Sequence, residues 1–471
     1  MFSTIAIIIS LFLLMYFAYR GYSVLILAPL MATLAVALSG DILSALPIYT
    51  TVFMKALSGF LLKFFPIFLL GAVFGQLMAD SGAATAIART VVSKLGANKA
   101  ILAVVLVCAI LTYGGVSLFV VAFAIYPIAK DLFKSAGVPK RLIPGAIALG
   151  SFTFTMTALP GTPAIQNAIP IPYYGTNAFA APILGIIGSL VMFGLGMLWL
   201  QRRAHSAKAA GEGYGIHEDD ELHADNDDEL HADNLDPHHT SFMVAMIPLV
   251  LVIGINALLT YAVFPNMDFS ALQAQFKDLD IKGALGLWSI IIALVTAIIA
   301  LIVLRLGKWT NLQHSLNKGS YSSMLPIFNT GSEVGYGAVI ATLAGFAVLR
   351  DSVLNLSPNN PLISEAVAMT ILAGITGSSS GGLSIALPIL GKEYLAQAVA
   401  HGISPELLHR VAVMAAGGLD TLPHSGAVIT LFAICHLTHK QSYKDVAMVT
   451  MAIPLIAVTV VIALGTMFGS F

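Results

Sequence analysis

Three ionisable side chains stand in apolar sequence: Glu333 in NTGSEVGYG, and Asp420 and His424 in GGLDTLPHSG. An acid inside a membrane span costs about 2.5–3.5 kcal/mol by insertion scales, which marks it as functional by default. A carboxyl in such surroundings can take up and release a proton near neutral pH, which suits proton coupling. The plainer alternative is a structural hydrogen bond between helices. A second group of residues can bind rather than titrate. Thr112, Gly114, Gly115 and Ser117 lie in TYGGVS, and Thr157, Gly161, Thr162, Gln166 and Asn167 in TMTALPGTPAIQNA. Ser378, Ser379, Ser380 and Gly381 lie in GSSSGG, and Thr421 and Ser425 follow Asp420. Asn329 is a weaker candidate, and Tyr113 and Tyr336 suit either packing or a pocket wall. These motifs hold no Lys or Arg. Backbone N–H groups, helix dipoles and hydroxyls can together hold a carboxylate and still release it.

The elements that must position these groups follow from composition. The 471 residues are 58% hydrophobic and only 10% charged, against roughly 25% charged in soluble domains. A water-solvated fold is excluded, and a polytopic, all-α membrane protein is expected. Apolar runs place spans near 3–19, 22–38, 64–80, 142–172, 178–200, 241–264, 282–305, 324–349, 405–437 and 444–469. Stretches 42–62 and 309–322 read as amphipathic interfacial segments. The first apolar run has neither a basic leader nor a small-residue cleavage site, and reads as a retained span. Cys108 and Cys435 lie in apolar segments and read as small buried residues, with no disulfide or metal cluster implied.

Net charge is −1, but eleven of the 24 acids fall between Glu212 and Asp236. Residues 201–240 are polar and carry DDELHADN twice in succession, with six of the 12 histidines. This reads as a solvated linker made by tandem duplication, rather than a metal tract. On either side the sequence repeats. PIFLLGAVFG near 66–75 matches PIFNTGSEVG at 326–335, GGVS at 114–117 matches GGLS at 381–384, GVPKRL at 137–142 echoes GISPELL at 402–408, and ALPGT at 158–162 echoes TLPHS at 421–425. The order is the same in both copies, 1–200 and 241–471. Loops 81–100 and 130–141 carry Arg89, Lys94, Lys99, Lys130, Lys134, Lys140 and Arg141. Their counterparts carry only Arg350, Lys392 and Arg410, beside Asp351, Glu393 and Glu406. The positive-inside rule then sets the copies in opposite orientations, with five spans each, the linker cytoplasmic and both termini outside.

Residues 100–130 are broken by Gly114-Gly115 between two basic loops. Each arm of about 13 residues reaches roughly 20 Å, short of the roughly 30 Å hydrocarbon core. A re-entrant hairpin fits, and 357–398 is its partner. Segments 142–172 and 405–437 read as broken helices. Broken backbone is tolerated at membrane depth only where it lines a protein cavity. Four breaks in inverted pairs therefore point to one mid-membrane anion site.

TYGGVS, TALPGTPAIQNA, GSSSGG and GGLDTLPHSGA resemble the gluconate permease (GntP) family of proton symporters, over nearly the whole chain outside the linker. The nearest look is to its 3-hydroxybutyrate permease branch. More distantly, the hairpin tip and Gly161-Thr162-Pro163 break resemble the ion transporter superfamily. Gly115-Val116-Ser117 replaces that group's Ser-Asn-Thr tip, which points away from sodium. The resemblance implies a homodimer with a fixed scaffold and an elevator-like moving domain in a bacterial inner membrane. Motifs rich in Ala, Gly, Leu and Pro, and poor in amides, favour a short hydroxy acid over a sugar acid. The expectation is proton-coupled uptake of a small hydroxycarboxylate such as D-3-hydroxybutyrate. Substrate binding falls to the hydroxyl and glycine residues named above, and proton coupling to Glu333, Asp420 and His424. The alternatives are a gluconate or sugar-acid symporter, and a sodium-coupled or exchanging organic-anion carrier. No organic cofactor, bound metal or nucleic-acid partner is expected. An intramembrane hydrolase built on Asp420, His424 and Ser425 is disfavoured, because adjacent side chains diverge. A channel is disfavoured too, because no symmetric ring of filter carbonyls is evident.

Overall fold

The computed structural model describes residues 2–215 and 240–470, so the DDELHADN duplication lies outside the described residues. Helices are the only regular elements among them. They run α1 (Phe2–Tyr19), α2 (Val24–Leu38), α3 (Met54–Asp80), α4 (Ala83–Leu95), α5 (Ala100–Tyr113) and α6 (Leu118–Ala136). A broken series follows: α7 (Ile143–Ser151), α8 (Phe154–Thr157), α9 (Ile165–Ala168) and α10 (Ile171–Tyr174). Then come α11 (Pro182–Ala209), α12 (Phe242–Leu258), α13 (Ile281–Leu304), α14 (Leu312–Thr342) and α15 (Phe346–Leu354). The last group is α16 (Pro361–Thr376), α17 (Ser379–Ala400), α18 (Pro405–Ala416), α19 (Gly426–Ile434), α20 (His439–Ala447) and α21 (Ile453–Phe468). Six helical runs among the described residues are long and apolar enough to cross a bilayer.

Two boundaries differ from the hydropathy reading. The chain is helical without interruption from Ile42 to Asp80, and α14 runs 31 residues from Leu312 to Thr342. The stretches read as separate interfacial segments are therefore the first turns of long helices. Their polar residues mark the ends of a helix, not its stops, because neither stretch carries a breaker that ends it. Close packing of α14 on α3 explains part of the NTGSEVGYG motif. Gly331 and Gly335 form a small-xxx-small pair, and a Cβ at either would come within 2.9 Å of Leu61 or Phe53. Small residues let two membrane helices approach, where apolar burial against lipid supplies no drive.

Helix starts are set by local chemistry. Asn360 and Ser404 accept hydrogen bonds from the N–H groups of Leu362 (3.2 Å) and Leu407 (3.3 Å), with Pro361 and Pro405 opening each helix. Side-chain caps satisfy N–H groups that the helix itself leaves unpaired, and proline at the first position loses no bond. Tight turns join α5 to α6 and α16 to α17. Gly115 (φ +99) and Gly377 (φ +65) occupy the left-handed region there, which a side chain would strain. The members of each pair pack on each other, α5 also lies on α7, and α16 lies on α18.

Candidate functional site

The tips of the two helical pairs meet the two broken segments. At the first tip, a Cβ on Gly115 would stand 2.9 Å from Pro163, and the Tyr113 hydroxyl donates to the Pro160 carbonyl at 2.7 Å. Gly114 is pressed on Leu249 of α12. Thr112 is buried with no partner for its Oγ1, and the half-buried Ser117 opens α6. At the second tip, Ser425 Oγ donates to the Gly377 carbonyl at 2.8 Å, and His424 Nε2 lies 3.3 Å from the Ile375 carbonyl. Ser378 caps α17 through the Gly381 N–H (3.1 Å) and shares a hydroxyl contact with Ser380.

One chain of contacts joins the halves. Gln166 Nε2, from the first break, donates to Ser379 Oγ at 3.2 Å. Ser379 opens α17 and lies beside the Asp420 carboxylate of the second break. Glu333, on α14, packs on the same turn: a Cβ at Gly381 would fall within 2.1 Å of its Oε2. Glu333 is 4% exposed and Asp420 7%. Glu333 Oε2 and Asp420 Oδ1 are buried without a hydrogen-bond partner. A buried carboxylate oxygen left unpaired costs roughly 1–3 kcal/mol or more. Such a group is a place to expect a proton, an ion or a substrate donor. Glu333 also faces a cavity of about 200 Å³ whose lining is otherwise almost wholly apolar, including Tyr336, Ile375 and Thr376.

Other expected binding residues are occupied within the protein. Thr157 Oγ1 donates to the Thr153 carbonyl at 3.0 Å, and Thr421 pairs with Thr450 at 2.6 Å. Thr162 Oγ1 accepts from the Ala164 N–H at 3.3 Å, and Gly161 is packed under Phe179. Asn167 donates to the Thr162 (3.0 Å) and Ala178 (2.8 Å) carbonyls, while its Oδ1 receives Arg410 Nη1 and faces His409 Nε2, both at 3.2 Å. Tyr336 is tied to Ser10 at 2.9 Å. Asn329 Oδ1 is buried without a partner. No group of three metal-ligating side chains converges among the described residues.

The charge count treats Arg410 as a loop residue, and the structure corrects this. Arg410 lies inside α18, fully buried. It donates to the Ala180 carbonyl at 3.1 and 2.8 Å, to the Thr157 carbonyl at 3.3 Å and to Asn167. The Thr157 carbonyl of the first break and the Ala180 carbonyl of the loop before α11 give the guanidinium its partners, which is why a cation can sit there. Glu365 of α16 was not singled out by sequence. It is fully buried and receives a short hydrogen bond from the Tyr174 hydroxyl. A lone acid in ISEAVAMTILAGIT was the signal, equal to the one that marks Glu333. Toward the linker, Asp445 gathers Arg141 (3.1 Å), Arg203 (2.9 Å) and Trp199 (3.0 Å), and Arg141 also pairs with Glu212 at 2.6 Å.

The chain is 46% identical over 471 residues to the uncharacterized transporter YxjC of Bacillus subtilis (strain 168), covering 99% of each. In fold it is similar to MtrF of Neisseria gonorrhoeae, described as illuminating a class of antimetabolite efflux pumps. The TM-score is 0.57 and identity 14%, over 90% of this chain and 84% of that one. The model of the GntP family permeases matches residues 1–419, and the chain is a member of that permease family.

Proposed function

We propose that this permease is a proton-coupled importer of a small hydroxycarboxylate, D-3-hydroxybutyrate being the type substrate. The observation that carries the reading is the Gln166–Ser379–Asp420 contact chain, with unpartnered carboxylate oxygens on Asp420 and Glu333. Neutral donors from the first break and the second tip meet beside two acids, with Arg350 on the wall of the cavity that Glu333 faces. Protonation of such an acid lets a carboxylate enter without like-charge repulsion, and its release frees the anion. The N-termini of α6 and α17 add the positive ends of their dipoles. His424 belongs to the same relay, since it contacts the second tip. Thr157, Thr162, Asn167 and Thr421 then act as scaffolding for the backbone that lines the site.

The same reading takes 1–200 and 241–471 as inverted repeats around the linker, with α5–α6 and α16–α17 as re-entrant hairpins. It takes the long packed pair α3 and α14 as a scaffold in a homodimer, past which the hairpins and breaks move. The linker then faces the cytoplasm of a bacterial cell, and both termini face outward.

Proteoliposome uptake of radiolabelled D-3-hydroxybutyrate, driven by an inward proton gradient in sodium-free buffer, tests this. Uptake abolished by an uncoupler and competed by lactate, but not by gluconate or citrate, is expected. Uptake that appears only with sodium would transfer the coupling role away from Asp420 and Glu333. Preference for gluconate would sink the choice of substrate and keep the architecture.

A further inference from the structure

Away from the contact chain lies a second cavity, about 490 Å³, between the long helix α3, α14, α15 and α17. Its lining includes Gly59 and Lys63 of α3, Ala338 of α14, Arg350 of α15, Glu393 of α17 and Tyr173 of α10. Lys63 lies inside a membrane-crossing run, yet its ammonium does not simply snorkel along lipid. It stands 5.2 Å from the centroid of the Tyr173 ring, across the cavity wall, a cation–π arrangement that holds it toward the interior. Arg350 directs Nε and Nη2 to its exposed neighbour Asp351 (2.9 and 2.8 Å). Glu393 has an Oε2 that is buried without a hydrogen-bond partner. The cavity shares Arg350, Phe346, Ile385 and Ile389 with the cavity that Glu333 faces. One compartment thus combines the Lys63 ammonium, an Arg350 guanidinium whose Nε and Nη2 face Asp351, one unpaired carboxylate oxygen and a wall in common with the Glu333 cavity.

We infer that this compartment is a vestibular binding site for a hydroxycarboxylate. Lys63 and Arg350 take the carboxylate, and Glu393 accepts a hydrogen bond from the hydroxyl. The inference rests on the hydroxycarboxylate reading above and gives it a second, earlier station. The charges divide the labour. A cation pair selects anions of any kind, whereas an unpaired acceptor discriminates, because a ligand lacking the hydroxyl leaves that oxygen buried and unsatisfied.

Two measurements test it. The first needs no substrate. A Cβ at Gly59 meets no atom within 4 Å, so Gly59→Cys offers a thiol in open space, while Cys108 and Cys435 are fully buried. Its modification by an anionic methanethiosulfonate should outrun that by a cationic one. Lys63→Met should lower the anionic-to-cationic rate ratio by about tenfold, and Lys63→Arg should restore it. A ratio indifferent to both substitutions overturns the site. The second compares competition by D-3-hydroxybutyrate and by butyrate against labelled uptake. Glu393→Met should erase about a fivefold preference for the hydroxylated acid, and Glu393→Gln should keep it, since the amide oxygen still accepts. An unchanged preference in Glu393→Met removes Glu393 from the site. If the thiol result holds while wild-type protein carries no hydroxycarboxylate, the proposed substrate fails and the assignment to hydroxycarboxylates fails with it, leaving only a cavity whose anion access Lys63 governs.

Discussion

The two broken segments begin from similar sequence, ALPGT at 158–162 and TLPHS at 421–425, and reach opposite electrostatic states. The first is closed by side chains of the second, from α18. The Thr157 carbonyl and Asn167 amide of the first, with the Ala180 carbonyl of the loop that follows it, are taken up by Arg410, with His409 alongside. The second keeps an open valence: Asp420 Oδ1 has no partner, and Glu333 Oε2 beside the same tip has none either. Both segments solve the problem of broken backbone away from water, by different means. One is fixed in shape by a buried cation that the other supplies. The other spends its polar groups on a surface that another species must complete. Under the proposed reading, the fixed half would hold geometry while the unsatisfied half changes protonation.

The largest expected effect comes from breaking the closed half. Arg410→Met leaves the Thr157 and Ala180 carbonyls buried without their cation, a loss of about 3–5 kcal/mol. Thermal unfolding in detergent should show it as a large drop in midpoint. Arg410→Lys should recover only part, because an ammonium lacks the planar fork. A methionine variant that melts like wild type would mean the first break does not depend on the cation. Next comes the open half. Asp420→Asn should leave the fold intact and cut proton-driven accumulation by about a hundredfold, while substrate exchange at equal pH persists. Loss of exchange to the same extent would make Asp420 a binding residue and not a coupling one. The bridge between the halves should matter less. Gln166→Leu removes one neutral hydrogen bond to Ser379, worth about 1 kcal/mol or a fivefold rise in KM. A change confined to the maximal rate would argue that the bridge serves movement instead.

The smallest effect lies at the linker end, where neither half is involved. The Arg141 guanidinium beside Glu212 holds its carboxyl below the usual carboxylate range. A depressed folded value means the contribution is full above the unfolded value of about 4.3 and fades as pH falls through the lower, folded value. The side chains are 21% and 38% exposed, so screening limits the pair to less than about 1 kcal/mol. Glu212→Gln should therefore lower the melting midpoint slightly at pH 7 and not at pH 3. A large drop at pH 7 would assign the Arg141–Asp445 group a role in holding the end of α11.

Much of this was legible in order along the chain. Hydropathy is a local sum, so 58% apolar residues with few charges determined the membrane class, and hydroxyl, glycine and proline clusters located the breaks. A lone acid within an apolar run is also local, and Glu333 and Asp420 were visible for that reason. Glu365 was equally visible and was passed over. Arg410 was misread because a charge count cannot tell a solvated cation from one clasped by carbonyls. The continuity of 42–80 and 312–342 escaped for a related reason: amphipathic patterning reports polarity, and only packing along a partner helix reports where a helix goes on. What tertiary structure alone decided is the juxtaposition. Gln166 and Ser379 are 213 positions apart, and Lys63, Tyr173, Arg350 and Glu393 share a wall across more than 300 residues. No periodicity carries such a distance. It is set by how helices pack once the lipid has forced every broken backbone group to find its partner inside the protein.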